Sequence, residues 1–215
     1  MIKAIIFDLD GTLVDEEFDR AIWHEELPRL YAEKHSLSLE QAKEKVYATF
    51  YIALDIEREK RWTDIEYWFE RYDVGDWKKV IADMKHKISV YEDVPQTLKV
   101  LKGKYDLMIL SNANEKFLNV KLQALNLNGY FKSIFSAPSN FGAPRKNRAV
   151  FRAILEKMKL KPEEVVHVGD NHELDYLMPL ELGMRAFHLI RNKQRPGGEH
   201  EISSLAELAE KIDKL

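Results

Sequence analysis

The sequence lacks cysteine, long apolar runs and an excess of basic residues. The absence of cysteine excludes disulfide bonds, thiolate zinc sites and a cysteine nucleophile. No segment approaches the roughly 18 apolar residues that a membrane-spanning helix requires. The charges nearly balance, with 33 basic and 36 acidic side chains and a formal net charge of −3. We therefore expect neither a membrane nor a nucleic acid as a partner of this chain.

The remaining composition is typical of a folded soluble protein. The chain has 215 residues, which suits one large domain or one domain with a smaller insertion. Hydrophobic residues make up 45% and charged residues 32% of it. The apolar start resembles a secretion signal, but Asp8 and Asp10 interrupt it before a signal core could form. We expect a cytoplasmic protein that is a monomer or a homodimer.

Short apolar runs alternate with amphipathic helical patterns along most of the chain. The runs are typical of buried strands and lie at residues 2–7, 107–110, 134–135, 165–168 and 186–190. The helical patterns that follow lie at residues 94–101, 115–125, 148–158 and 174–182. This alternation predicts βαβ units, and so an α/β fold with a parallel sheet of about five strands that helices cover on both faces. Ser203 and Ser204 precede a predicted closing helix.

Residues 16–89 break this alternation and read as helices only. The helical patterns cover residues 18–35, 39–54, 64–72 and 77–87, and the whole stretch 16–89 holds all four tryptophans. Ser38 and Gln41 form a predicted capping box at the start of the second helix. The simplest interpretation is a helical unit of residues 16–89 inserted after the first strand, with residues 1–15 and 90–215 forming the core.

The segment DLDGT follows the first predicted strand, where ligands bind in open parallel sheets. Its carboxylates Asp8 and Asp10 lie two positions apart, and Gly11 permits an unusual backbone angle between Asp10 and Thr12. One carboxylate could act as a nucleophile and the other as a general acid and base. An acidic turn without catalytic function is the alternative.

Two further polar clusters follow predicted strands. Ser111 and Asn112 come after the second strand and could hold a phosphate oxygen, although such a pair is often only a turn. Asp170 and Asp175 come after the strand at residues 165–168. Together with Asp8 they would form an all-oxygen site of the kind that Mg²⁺ prefers, whereas acidic residues at a helix start are the plainer explanation.

Arg145 and Lys146 lie just before a predicted helix and could supply positive charge to a phosphate beside these carboxylates. Taken with the other clusters, they make the sequence resemble the haloacid dehalogenase superfamily of phosphohydrolases. The four motifs of that family match, in order, the DLDGT segment, Ser111-Asn112, the Arg145-Lys146 region and Gly169-Asp170-Asn171 with Asp175. The resemblance implies a Rossmann-like core and identifies the helical insertion as the family's cap.

The third motif departs from the family pattern, which is Gly-x-x-Lys-Pro. Counting from Gly142 or back from Phe151 places Arg145 in the lysine position, with Lys146 one residue later and no proline after either. Either residue could therefore contact the phosphate, and an arginine would be unusual because its planar fork differs in shape from an ammonium group.

The resemblance also implies a mechanism. Asp8 attacks phosphorus and forms an aspartyl-phosphate, while Asp10 protonates the leaving oxygen and then activates water. Mg²⁺ is expected at Asp8, the backbone carbonyl of Asp10, Asp170 and Asp175. Contacts to the transferring phosphoryl group are expected from Thr12, Ser111, Asn112 and either Lys146 or Arg145. The expected substrate is a small phosphorylated metabolite.

Three alternatives remain open at this point. A 2-haloacid dehalogenase of the same fold would need no acid at position 10, because a halide leaves without a proton, so Asp10 favours phosphate chemistry. A phosphoryl transferase would pass the group to a sugar hydroxyl instead of water. A binding or regulatory protein could keep the fold without activity, and the altered third motif is the only support for it.

The cap is expected to select the substrate, but its sequence says little about how. The charged candidates to face the site are Glu16, Glu17, Arg20, His24 and Arg58, although a solvated helix face is the simpler explanation for each. Three tryptophans, Trp23, Trp62 and Trp68, are expected to pack in the cap core or at its hinge and not to stack on a substrate.

Overall fold

The computed structural model describes residues 1–57, 59–191 and 197–213. They contain a parallel sheet of six strands, in the order β3-β2-β1-β4-β5-β6. The strands are β1 (Ala4–Phe7), β2 (Asp106–Ser111), β3 (Ser133–Ser136), β4 (Val165–Gly169), β5 (Arg185–Leu189) and β6 (Glu201–Ile202). The α/β class and the five expected strands are confirmed, and the two-residue β6 extends the sheet by one strand that the sequence did not predict.

The central strand β1 is buried on both faces, which explains its continuous apolar sequence. Ile5 and Phe7 point into a core cluster on one side of the sheet, while Ala4 and Ile6 belong to a second cluster on the other side. Helices cover both faces, as βαβ connections require. Those of the core are Val94–Lys102, Glu115–Ala124, Ala137–Phe141, Arg148–Met158, Met178–Glu181 and Leu205–Ile212.

Between β1 and β2 the chain forms a block of helices, residues 17–87, which we call the helical unit. Its α-helices are Glu17–Arg20, Leu27–His35, Leu39–Tyr51, Ile65–Tyr72 and Trp77–Met84. The π-helical segments Ala21–Glu26 and Ile52–Ile56 and the 3₁₀ turn Lys85–Lys87 continue three of them. The two connections to the core run side by side, because Asp15 N donates to Ser89 O at 3.1 Å and Val14 bridges to Val90.

From β1 the chain adds β2 and β3 on one side of the sheet and then β4, β5 and β6 on the other side, so the strand order reverses at β1. A crevice forms at such a point outside the carboxyl ends of the strands. Asp8, Asn112 and Asp170 each directly follow one of these three strands, so the sheet brings them to the same edge. No helix among the described residues is long and apolar enough to cross a membrane.

Replacement of Ser38 tests the capping box that the sequence predicts. The Ser38 hydroxyl accepts from Gln41 N at 3.3 Å, and the Gln41 side chain accepts from Ser38 N at 3.0 Å. We expect Ser38→Ala to lower the free energy of unfolding in urea by about 1 kcal/mol. Ser38→Thr keeps a capping hydroxyl and should retain most of this stability. Equal stability of the two variants would contradict the cap.

Candidate active site

Three carboxylates meet at the carboxyl edge of the sheet. Asp8 follows β1, Asp170 follows the neighbouring strand β4, and Asp175 lies in the π-helical turn His172–Leu177 after it. One oxygen from each carboxylate lies within 4.8 Å of the others, which is close enough to share a metal ion. The structure therefore brings together residues that the sequence separates by more than 160 positions.

Two glycines make room for this cluster. Gly11 has a φ angle of +75°, and a Cβ atom there would lie 2.6 Å from Asp170 Oδ2. A Cβ atom on Gly169 would lie 2.5 Å from Asp175 Cγ. Any side chain at either position would displace a carboxylate, because real Cβ contacts are longer than this. Gly11 and Gly169 are therefore part of the site although they contribute no functional group.

Lys146 supplies the positive charge at the centre of the cluster. Its Nζ lies 2.8 Å from Asp8 Oδ1 and 2.6 Å from Asp175 Oδ1, and its side chain is 1% exposed. The backbone N of Lys146 donates to Asn112 Oδ1 at 2.7 Å, so Asn112 fixes the loop that carries the lysine. Asn147 then caps the helix Arg148–Met158.

Arg145 points away from the carboxylates. Its guanidinium is 3.4 Å from Asp55 of the helical unit, and its side chain is 46% exposed. The spacing argument had placed Arg145 in the lysine position of the third motif. The ammonium group that lies against Asp8 is that of Lys146, one position later.

The electrostatics of the cluster fit a divalent cation. Three carboxylates face one ammonium group, which leaves an excess of negative charge. Burial raises the pKa of Asp8 well above its ordinary range; Lys146 opposes this rise and Asp175 adds to it. Burial and Asp175 likewise raise the pKa of Asp170. A cation held by these oxygens would supply the missing charge, and an all-oxygen donor set suits Mg²⁺.

His167 supports the cluster from within the sheet and was not singled out from the sequence. Its Nε2 lies 2.9 Å from Asp175 Oδ1, while its Nδ1 is buried without a hydrogen-bond partner among the described residues. Burial lowers the pKa of His167, which favours the neutral ring. Burial would raise the pKa of Asp175, but Lys146 and His167 outweigh it and lower that pKa. Asp175 therefore stays ionised and fixed in position.

The hydroxyl groups of Thr12 and Ser111 are buried at the same edge. Thr12 Oγ1 lies 3.5 Å from Asp170 Oδ1, and Ser111 Oγ accepts from Ala113 N at 2.9 Å. Arg191 Nε donates to Thr12 O at 3.1 Å, and its guanidinium also pairs with Asp93 at 3.0 Å. The loop after β1 is thus held in place from the far end of the chain.

Asp10 does not join the carboxylate cluster and instead pairs with Lys121, whose side chain is completely buried. The same ammonium pairs with Asp19 of the helical unit. Lys121 lies on a helix among the buried residues Phe117, Leu118 and Leu122. A lysine on an apolar helix face is the signal that could have found this group from the sequence.

A family model of haloacid dehalogenase-like hydrolases matches residues 2–183. This range covers the sheet edge, the three carboxylates and Lys146. The chain belongs to the haloacid dehalogenase-like hydrolases. The resemblance that the four motifs carry is confirmed.

The individual relatives of this hydrolase given below have low sequence identity to it. It is 26% identical to the GMP/IMP nucleotidase YrfG of Escherichia coli strain K12, over 80% of this chain and 76% of the relative. It is 28% identical to a phosphoglycolate phosphatase of Aquifex aeolicus, over 79% of this chain and 76% of the relative. Among solved structures, a HAD phosphatase from Thermococcus onnurineus is 27% identical, with a TM-score of 0.81 over 98% of both chains.

A cavity of about 280 Å³ opens beside Asp10, between the core and the helical unit of this hydrolase. Glu16 and His24, two of the candidates that the sequence offered for contact with the substrate, line it. Glu17 and Arg20 instead pair with each other on an exposed face, which agrees with the explanation that they belong to a solvated helix face. Arg58 lies outside the described residues.

The tryptophans divide between packing and the cavity. Trp68 is completely buried in the core, as expected. Trp23 and Trp62 also line the cavity, in addition to their packing contacts. Trp62 Nε1 donates to Pro144 O at 2.6 Å and so links the helical unit to the loop that carries Lys146.

The pairing of Asp10, Lys121 and Asp19 predicts a pH effect on stability. Burial raises the pKa of Asp19 to about 7, with Lys121 opposing and Asp10 reinforcing this rise, whereas an unfolded aspartate has a pKa of about 3.9. Between these values the folded state binds more protons than the unfolded state, so the contribution of Asp19 to stability falls as pH rises.

We therefore expect the difference in free energy of unfolding between Asp19→Asn and the unsubstituted protein to grow in favour of the variant from pH 5 to pH 8. Urea unfolding of both proteins at each pH measures this difference, and the comparison at equal pH cancels the titration of other groups. A difference that stays constant or shrinks over this range would contradict the assignment.

Proposed function

We propose that this hydrolase is a Mg²⁺-dependent phosphatase that cleaves the phosphate monoester of a small metabolite through an aspartyl-phosphate. The observation that carries the proposal is the pair of carboxylates Asp8 and Asp10 at the end of the central strand, with the buried ammonium of Lys146 at 2.8 Å from Asp8. The relatives named as a nucleotidase and as phosphatases also support phosphate ester chemistry.

Asp8 acts as the nucleophile. Its free carboxylate oxygen forms a bond to phosphorus while the bond from phosphorus to the ester oxygen breaks. Asp10 donates a proton to that leaving oxygen, and so the alcohol departs as a neutral molecule. In the second half-reaction Asp10 takes a proton from water, the water oxygen attacks phosphorus, and Asp8 leaves as a carboxylate with release of inorganic phosphate.

The other groups bind and orient the phosphoryl group. Asp8, Asp170, Asp175 and the backbone carbonyl of Asp10 would hold Mg²⁺, whose charge lets an anionic nucleophile approach an anionic phosphate. Lys146 balances the charge that develops on the equatorial oxygens, and Thr12, Ser111 and Asn112 donate hydrogen bonds to them. The helical unit, for which we propose the bounds 16–89, acts as a cap that excludes water and contacts the leaving group.

Asp10 also decides between phosphatase and dehalogenase chemistry. Release of an alkoxide requires a proton and release of a halide does not, so a carboxyl group at this position has a role only in the first reaction. Its pairing with Lys121 keeps it at the mouth of the cavity where a leaving alcohol would lie. We therefore favour phosphate over carbon–halogen substrates.

Asp8→Asn tests the proposal directly. An amide cannot form the phosphoenzyme, so we expect hydrolysis of p-nitrophenyl phosphate in the presence of Mg²⁺ to fall to the background rate while the far-UV circular dichroism is unchanged. Asp15→Asn is the matched control, because the Asp15 side chain accepts a hydrogen bond from Glu17 N and lies outside the carboxylate cluster. Removal of Mg²⁺ with EDTA should abolish turnover of the unsubstituted protein. Turnover by Asp8→Asn would overturn the assignment of the nucleophile.

Lys146→Met and Arg145→Met separate the two basic residues of the third motif. Lys146 contacts Asp8 from a buried position, so its loss should lower kcat/KM for p-nitrophenyl phosphate by about 100-fold or more. Arg145 faces the helical unit, and its loss should change kcat/KM by no more than about threefold. Steady-state kinetics at saturating Mg²⁺ measure both. A larger loss in Arg145→Met than in Lys146→Met would assign the phosphate contact to the arginine.

A further inference from the structure

Two tryptophans and two phenylalanines, Trp23, Trp62, Phe50 and Phe117, line the cavity beside Asp10. Trp23 stacks on Phe117 with ring centroids 5.4 Å apart and an interplanar angle of 17°. The rings of Phe50 and Trp23 make an edge contact with their centroids 5.8 Å apart, and Trp62 lines the same cavity. The cavity volume of about 280 Å³ is close to the roughly 300 Å³ of the smallest small-molecule sites. Such walls favour a flat apolar group over a flexible polar one.

The charges around the cavity disfavour an acidic leaving group. No lysine or arginine lines it in the part of the chain that the structure describes, and three carboxylates do, from Asp10, Glu16 and Asp19. The nearby ammonium of Lys121 is already shared between Asp10 and Asp19. One ammonium against three acidic side chains leaves an excess of negative charge, which a second negative charge on the leaving group of a substrate would increase.

One polar atom in the cavity has no partner. Thr63 lines the cavity, and its Oγ1 is buried without a hydrogen bond to any described residue. A buried hydroxyl without a partner costs free energy, and a ligand group that bonds to it would recover that loss. The hydroxyl therefore points to a ligand with a polar atom at the edge of its ring.

From these observations we propose that the leaving group is an uncharged alcohol that carries a flat heteroaromatic ring, so that the substrates are nucleoside monophosphates. This inference rests on the proposed phosphatase function and adds the substrate class. The phosphate lies at Asp8, the ester oxygen lies at Asp10, and the base packs against Trp23 and Phe50 with its polar edge at Thr63.

Two substrates that differ only in the base test this assignment. Inosine 5′-monophosphate and ribose 5-phosphate share the phosphate and the sugar. Stacking of a base on aromatic side chains should give inosine 5′-monophosphate a kcat/KM at least about tenfold higher. The acidic substrate 2-phosphoglycolate should have a kcat/KM below that of ribose 5-phosphate at the same ionic strength, because its leaving group is charged.

Variants of the cavity locate the effect. Trp23→Leu should lower kcat/KM for inosine 5′-monophosphate about tenfold and leave that for ribose 5-phosphate within about twofold. Trp77→Leu is the matched control, since Trp77 is half-buried in the same helical unit but does not line the cavity. Thr63→Val, which removes the unpaired hydroxyl and keeps the shape, should lower the value for inosine 5′-monophosphate by roughly threefold to tenfold.

The outcomes separate the two proposals. Hydrolysis of ribose 5-phosphate or 2-phosphoglycolate at least as efficient as that of inosine 5′-monophosphate overturns the substrate class and leaves the phosphatase intact. No hydrolysis of any phosphate ester, p-nitrophenyl phosphate included, overturns both. If Trp23→Leu does not fold, competitive inhibition of the unsubstituted enzyme decides the matter: inosine should inhibit p-nitrophenyl phosphate hydrolysis at least about tenfold more strongly than ribose, and equal inhibition contradicts the proposal.

Discussion

The site depends on one buried ammonium group that pairs with carboxylates from the segments that follow two neighbouring strands. Lys146 lies between Asp8 and Asp175, and without it the like charges at the sheet edge would repel each other in surroundings from which water is largely excluded. The parallel sheet provides the place, since β1 and β4 are adjacent and end at the same edge. Gly11 and Gly169 then allow the carboxylates to approach closely.

The sequence predicts the sheet well because its strands are buried on both faces. Runs such as Ile5–Phe7 and Val165–Val168 are short and mainly apolar, and polar turns with Asp8 and Asp170 come soon after them. The strand β6 escapes this reasoning because Glu201–Ile202 has only two residues and pairs with β5 alone. The capped helix after Ser38 is equally local, and its hydrogen bonds involve only residues close in sequence.

The parts of the site that the sequence does not predict depend on contacts between distant residues. Arg145 and Lys146 are adjacent, and only the fold shows that the second reaches Asp8 while the first reaches Asp55. From the sequence alone Lys121 looks like an ordinary surface lysine, unless its position on the apolar face of its helix is noticed. His167 is hidden in a strand of valines, where its ring fits the space between Phe151 and Asp175.

Lys121 links the loop after β1 to the helical unit. Its ammonium pairs with Asp10, which we propose as the general acid and base, and with Asp19 in the first helix of the helical unit. A substitution that shifts the helix Glu17–Arg20 moves Asp19 and so changes the charge balance at Lys121 and Asp10, even when no motif residue is altered. If the helical unit contacts the substrate, as we propose, changes in its sequence are compatible with the pairing of Asp10 only while Asp19 keeps its position beside Lys121.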